Sequence, residues 1–362
     1  MKKIISVIIL GLLVGCSSPS NSKINQYKIG VIAPMSGPAA AFGTELVSIL
    51  QYEASKLTTD NLQIEFVIED GKCNGVDATT AFYKLADIEQ VDAIIGGVCS
   101  PESLAIGPLT EQYKLLAVSP TSGTEQIEGL SSHLYSLVYG SQLTVNGINK
   151  QIQGSQKIAI ISEQSDINMD IHNGLVQTNS DKQLVLNEYP STQSDFRNMI
   201  STVIKEQPEV LILNPKAGDN AKKLILQLAE FEQDLKDIKL ISHVPYLSDD
   251  SRANVQSLTE GMIIVATPEV DDSTIQAIKN GTKVEFQALN NFMVATTADA
   301  LNNLARALKA SQINKTDVQS EFTQMDLKGL VVEGMNFKNT NMLNSYKSGL
   351  YKVTAGQAIS TN

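Results

Sequence analysis

The chain has 362 residues and a formal net charge of −11, with 42% hydrophobic and 19% charged residues. That balance is globular rather than disordered, and its acidity excludes nucleic acid and an electrostatically held membrane surface as partners. The length exceeds what one compact core holds, so two domains are expected. With no tryptophan and 5% aromatics, any aromatic platform has to be sparse.

Lys2 and Lys3 precede an apolar run over residues 4–13 (IISVIILGLL). That run is too short to span a hydrocarbon core of roughly 30 Å, which takes about 20 apolar residues. Residues 1–15 therefore read as a signal peptide. The run ends in Leu13-Val14-Gly15-Cys16, which resembles the lipobox of bacterial lipoproteins. The resemblance implies lipidation at Cys16, followed by a polar, flexible tether over residues 16–26. The expected location is extracytoplasmic, lipid-anchored to a bacterial membrane.

Strands and helices then alternate. The apolar run 27–33 (YKIGVIA) predicts a buried strand. Residues 43–56 carry helical spacing at Leu46, Ile49, Leu50 and Ala54. A strand over 63–68 precedes a helix over 77–88 that Asp77 can cap. A strand over 93–96, a helix over 103–113 and a strand over 115–118 complete the first series. The second begins with strand 157–161 (KIAII) and a helix near 170–179. Strand 184–188, helix 195–206, strand 210–213, helix 217–235 and strands 239–242 and 262–266 follow. A break separates the two series at 141–156. Residues 292–310 read as a long helix, and 350–354 as a terminal strand.

Such βαβ repeats imply parallel sheets with helices on both faces. The fold class is α/β: two doubly wound, Rossmann-like lobes joined by a hinge. Residues 27–142 plus 267–338 are assigned to lobe 1, and residues 143–266 plus 339–362 to lobe 2. Ligands of such sheets bind beyond the carboxyl ends of the strands, so two facing lobes would enclose a common cleft that a hinge can close.

Once Cys16 is lipidated, Cys73 and Cys99 remain. Two thiols in an exported chain read as one disulfide worth about 3 kcal/mol. A metal site is the rival reading, although His133, His172 and His243 lie far apart and show no ligand spacing. No elbow around a nucleophilic serine, Walker loop or zinc-protease motif occurs. Neither an enzyme nor a cofactor is expected. Asp249-Asp250 and Asp271-Asp272 read as exposed loop charges.

The candidate ligand residues follow strands. In Ala33-Pro34-Met35-Ser36-Gly37-Pro38, proline and glycine fix the turn, and Phe42 sits where the helix begins. Ser100, in the Cys99-Ser100-Pro101 turn, offers a hydroxyl and an N–H at a helix N-terminus, which suits a carboxylate. Ser119-Pro120-Thr121-Ser122-Gly123-Thr124 is a second hydroxyl-rich turn. On the residues alone, Ser100 also reads as a simple helix cap and 121–124 as a simple turn.

These blocks, in this order, resemble the type 1 periplasmic binding proteins of the branched-chain amino acid (Leu/Ile/Val) transport family, most strongly over residues 28–125. The resemblance implies a Cys73–Cys99 bridge in the first lobe and a ligand carboxylate at Ser100. It implies backbone groups and a hydroxyl from Thr121, Ser122, Gly123 or Thr124. Phe42 stands where many members carry tyrosine, which keeps stacking and removes a hydroxyl. The second lobe departs from the amino-acid pattern. Residues 162–168 bring Ile167 and no tyrosine, while 214–218 offer Lys216 instead of an aromatic. After strand 239–242 come His243 and Tyr246, with no carboxylate for an α-ammonium before Asp249; Glu163 or Asp166 would have to substitute. Lys216 also reads as a solvated loop lysine.

The resemblance implies a substrate-binding lipoprotein of an ABC importer that captures a small polar solute, an amino acid or a related carboxylate or amide, and delivers it to a membrane permease. The alternative is a ligand-sensing or regulatory lipoprotein on the same fold, for example one acting on cell-wall enzymes.

Overall fold

The computed structural model describes residues 25–57, 62–216, 218–247, 250–268, 270–343 and 345–361. Residues 1–15, read above as a signal peptide, Cys16 and residues 17–24 of the expected tether lie outside them. In the first lobe, strands β1 (Asn25–Ala33), β2 (Leu62–Asp70), β3 (Ala93–Gly96), β4 (Ala117–Ser119) and β5 (Leu134–Ser136) alternate with helices α1 (Ala40–Leu57), α2 (Gly75–Tyr83) and α3 (Ser100–Tyr113). The strands pair in the order β2-β1-β3-β4-β5, all parallel.

Helix α4 (Ser141–Gln151) begins the second lobe. Then come β6 (Lys157–Glu163), α5 (Asp166–Thr178), β7 (Gln183–Tyr189), α6 (Arg197–Lys205) and β8 (Val210–Asn214). After α7 (Asp219–Ala229) and the single turn α8 (Glu232–Leu235), the chain runs through β9 (Lys239–His243), α9 (Gln256–Thr259) and β10 (Ile263–Ala266). It returns to the first lobe with α10 (Asp272–Thr282), α11 (Asn291–Asn314) and α12 (Val318–Gln324). A final antiparallel hairpin, β11 (Gly349–Thr354) and β12 (Gln357–Ser360), extends the second sheet to β12-β11-β10-β9-β8-β6-β7. The chain therefore crosses between the lobes three times.

Apolar side chains cover both faces of each sheet. Ile29, Val31 and Ala33 of β1 pack toward α1 and α11, while Ile32 packs with Phe82 and Ile106 on the opposite side. In β6, Ala159 and Ile161 join one core, and Ile158 and Ile160 the other. This period-two alternation inside continuous apolar runs is what a parallel sheet buried on both faces requires.

Several expectations shift. Helix α2 starts at Gly75 and is capped by Asn74, whose Oδ1 accepts the Asp77 N–H at 2.9 Å. Asp77 sits within the first turn because Asn74, not Asp77, has the extended backbone a cap needs. The segment 141–156, read as a break, contains α4, whose Val145 and Ile148, with Ile152 just beyond its end, are buried in a core of the second lobe. The helix expected over 217–235 is two helices. Three residues of the stretch expected in lobe 2, Met342, Leu343 and Tyr346, pack on lobe 1 instead. Met342 bridges Ser136 of β5, and Leu343 and Tyr346 enter the first core.

The Cys73–Cys99 pair is a disulfide with Cα atoms 5.3 Å apart. It ties the loop after β2 to the loop after β3. Beneath it lies Glu102, fully buried, whose Oε1 accepts the Cys73 N–H at 3.0 Å and Oε2 the Cys99 N–H at 3.1 Å. Burial raises this carboxyl to a pKa of about 7, against the opposing pull of those N–H donors. Asp299, buried in α11, is likewise raised by burial to about 6, although the Leu330 and Val331 N–H groups favour its ionised form.

Replacing both cysteines by alanine should lower the unfolding free energy by about 3 kcal/mol in urea titrations, since the bridge closes a loop of separation 26. Equal midpoints for the oxidised protein and the double variant would refute this. A second expectation concerns pH. A carboxyl raised on folding binds its proton more tightly in the native state, so its stabilisation is present below pH 4.5 and is lost as pH rises toward 7. Buried His243, lowered by burial to about 4, titrates in the opposite sense, so the difference between proteins is the proper measure. The advantage of wild type over Glu102→Gln should shrink by up to about 3 kcal/mol between pH 4.5 and 7.5. A constant difference across that range would show that Glu102 keeps an ordinary pKa.

Candidate functional site

The loops at the carboxyl ends of the strands face one another across a cleft of about 350 Å³ lined from both lobes. Asp70, closing β2, organises the loop after β1. Its Oδ1 accepts the Met35 and Lys72 N–H groups at 2.8 and 3.0 Å, and its Oδ2 the Ser36 hydroxyl at 2.5 Å. Burial works against ionisation there, but those donors outweigh it and hold Asp70 below the usual carboxylate range. Gly43 completes the arrangement, because a Cβ there would fall 2.1 Å from the Pro34 carbonyl oxygen. The close approach sets Phe42 at the cleft wall.

After β3, Gly97 turns the chain with φ +66°, and its missing Cβ would lie 2.9 Å from Ser103 Cα. That tight turn places Ser100 as the first residue of α3, half-buried on the cleft, with the disulfide beside it. After β4, Thr121 and Gly123 line the cleft, and the Thr121 hydroxyl donates to the Val98 carbonyl at 2.8 Å.

Two residues of this turn do not reach the cavity. Ser122 is buried, its carbonyl accepting the Ser136 hydroxyl at 2.6 Å. Thr124 is fully buried, and its hydroxyl donates to Asp170 Oδ2 at 2.8 Å, which joins the first lobe to α5 of the second. Glu125 continues that junction by accepting the Gln142 N–H of α4 at 2.8 Å.

From the second lobe, Ile167, Lys216 and His243 line the cleft. A buried network holds this rim. Asn168 Nδ2 donates to Asn214 Oδ1 at 2.8 Å, Asn214 Nδ2 to Ser162 Oγ at 3.0 Å, and Ser162 Oγ meets His172 Nδ1 at 2.9 Å. Tyr246 does not join the site. It is fully buried in the second core, its hydroxyl donating to the Ala221 carbonyl at 2.7 Å. The proline-containing turn after His243 carries it inward.

The charges are arranged unevenly. Glu163 is buried behind the rim, where its Oε2 accepts the Lys216 N–H at 3.0 Å. Asp166, exposed at the cleft edge, is the first residue of α5, where its negative charge complements the positive end of the helix dipole. Lys216 is exposed and forms no ion pair among the described residues. His243 is 8% exposed, its Nε2 meets no hydrogen-bond partner among the described residues, and burial keeps its pKa down at about 4, so the ring is neutral.

Other residues at the cleft were not anticipated from the sequence. Tyr139 and Phe292, with ring centroids 5.7 Å apart, form an aromatic wall backed by Tyr346. Met293, Thr144 and Thr267 also line it. The cap Asn290, whose Oδ1 accepts the Met293 N–H at 2.9 Å, is the sequence signal that would have put the start of α11 at the site.

The model of a family described as periplasmic binding protein matches residues 26–357. No curated protein matches the chain. Among solved structures, a leucine-binding protein of Thermotoga maritima is 18% identical with TM-score 0.74, covering 93% of this chain and 98% of that one. A solute-binding protein of an ABC transporter from Rhodopseudomonas palustris, in complex with p-hydroxybenzoic acid, is 17% identical with TM-score 0.77, covering 93% and 95%. The branched-chain amino acid transporter substrate-binding protein LivJ of Streptococcus pneumoniae, in complex with isoleucine, is 16% identical with TM-score 0.73, covering 93% and 100%. At such identities the likeness is one of fold: the type 1 periplasmic binding protein fold. The chain belongs to the periplasmic binding protein family.

Proposed function

We propose that this protein is the solute-binding component of an ABC importer. Lipid at Cys16 holds it outside a bacterial membrane, and its two lobes close on a small carboxylate-bearing solute for delivery to a permease. One observation carries the reading: a single cavity is lined from both lobes, with Ser100 opening α3 on one side and Lys216 and His243 on the other. The first turn of a helix presents N–H groups and a partial positive charge, which favours a carboxylate. The volume falls within the usual range for small-molecule sites, roughly 300–1,000 Å³. The ligands held by structures of this fold support the class, since isoleucine and p-hydroxybenzoic acid both carry a carboxylate. Three chain crossings supply the hinge, and the Thr124–Asp170 bond joins the lobes beside the cleft.

Calorimetry with small carboxylates, amino acids and amides should find at least one carboxylate that binds. Ser100→Ala should weaken that ligand by about three- to tenfold. Tyr246→Phe should leave affinity unchanged while costing about 1 kcal/mol of stability through its lost bond to Ala221. Absence of binding by every carboxylate, in a folded preparation, would sink the reading. In cells, the wild type should incorporate labelled palmitate and sediment with membranes, whereas a Cys16→Ala variant should do neither. Labelling of that variant would remove the anchor from the proposal.

A further inference from the structure

The buried acids around the cleft, Glu163 and Asp170, are already engaged, and that constrains the ligand. Glu163 is buried with its carboxylate turned to the Lys216 N–H and the Tyr189 hydroxyl. Asp170 is held by Thr124 and by the Glu125 N–H at 3.3 Å. Asp166, the one acid lining the cavity among the described residues, is exposed at its edge and sits on the positive end of α5. Against these stand Lys216 and the N-termini of α3 and α5. An ammonium enclosed there would lose water and gain no buried counter-charge.

His243 supplies the second, independent observation. It is more than nine-tenths buried on the cavity wall, and its Nε2 has no partner among the described residues. A buried polar atom left without a partner calls for one. Phe42, Tyr139 and Phe292 meanwhile give the cavity an aromatic surface.

We propose that the cleft selects a carboxylate lacking an ammonium group, an apolar or aromatic acid whose far end carries a hydroxyl or carbonyl that pairs with His243. Ser100 and the start of α3 take the carboxylate, the aromatic wall takes the body, and the imidazole takes the neutral polar end. The inference rests on the solute-binding reading above and narrows it.

The test uses matched pairs that differ only in the ammonium: leucine with 4-methylpentanoate, and tyrosine with 3-(4-hydroxyphenyl)propanoate. Calorimetry on the folded protein should show the deaminated member binding at least about a hundredfold more tightly in one or both pairs. Tighter or equal binding of the amino acids overturns this inference and leaves the solute-binding reading standing. Binding of neither member, nor of any other carboxylate, overturns both. For His243, 3-(4-hydroxyphenyl)propanoate should exceed 3-phenylpropanoate by about five- to tenfold in the wild type. That preference should vanish in His243→Leu and return in His243→Gln. A preference that survives His243→Leu removes the assigned role.

Discussion

The cleft depends on how its loops satisfy their main-chain N–H groups. Each loop leaving a strand toward the ligand exposes donors that a buried turn cannot leave unpaired. In this protein, carboxylates placed behind the loops accept them. Asp70 holds Met35 and Lys72, Glu102 holds Cys73 and Cys99, and Glu163 holds Lys216. Asp170 and Glu125 do the same across the lobe junction. Apart from Asp166 at the cleft edge, the acidic groups of the region are thereby directed into the scaffold and away from the cavity. Helix N-termini, hydroxyls and aromatic rings are left to face the solute. The disulfide adds a covalent tie at the point where Glu102 already clamps both loops, so Ser100 stands on a doubly fixed turn.

Most of the frame was legible in the sequence. Apolar runs such as 27–33, 157–161 and 210–213 mark strands buried on both faces, and alternation with helices forces parallel sheets. Helix α4 was missed because its apolar residues are sparse and polar residues such as Asn146, Asn149 and Lys150 break the pattern. The packing of Met342, Leu343 and Tyr346 on lobe 1 was hidden for a different reason. Met342 meets Ser136 of β5 and the Tyr346 hydroxyl donates to the Leu137 carbonyl, both some two hundred positions away. No local signal carries that information.

Of the residues singled out from the sequence, those on turns after strands line the cleft: Phe42, Ser100, Thr121, Gly123, Ile167, Lys216 and His243. Ser122, Thr124 and Tyr246 share those loops but point elsewhere, and orientation within an irregular turn is set by packing rather than by residue type. Thr124 finds Asp170, and Tyr246 finds the Ala221 carbonyl. Tyr139 and Phe292 entered from the opposite direction, through a chain crossing and the first turn of a long helix. Such positions become visible only once three crossings bring distant segments to one cleft.

The overall charge sharpens what the cavity itself has to accomplish. A protein of net charge −11 offers an anion no long-range attraction. At physiological ionic strength, however, fields fade over about 8 Å, so the distant surface charges contribute little inside the cleft. Capture then rests on short-range donors: the opening turns of α3 and α5, the hydroxyls beside them, and whatever cation approaches. These gain strength only when water is excluded and the local dielectric falls. Closing of the lobes, as proposed, would do both, and the wall of Tyr139 and Phe292 would give the closed cavity its dry side. An open cleft on an acidic protein would hold an anion weakly, so under the proposed mechanism hinge closure itself would be the source of affinity.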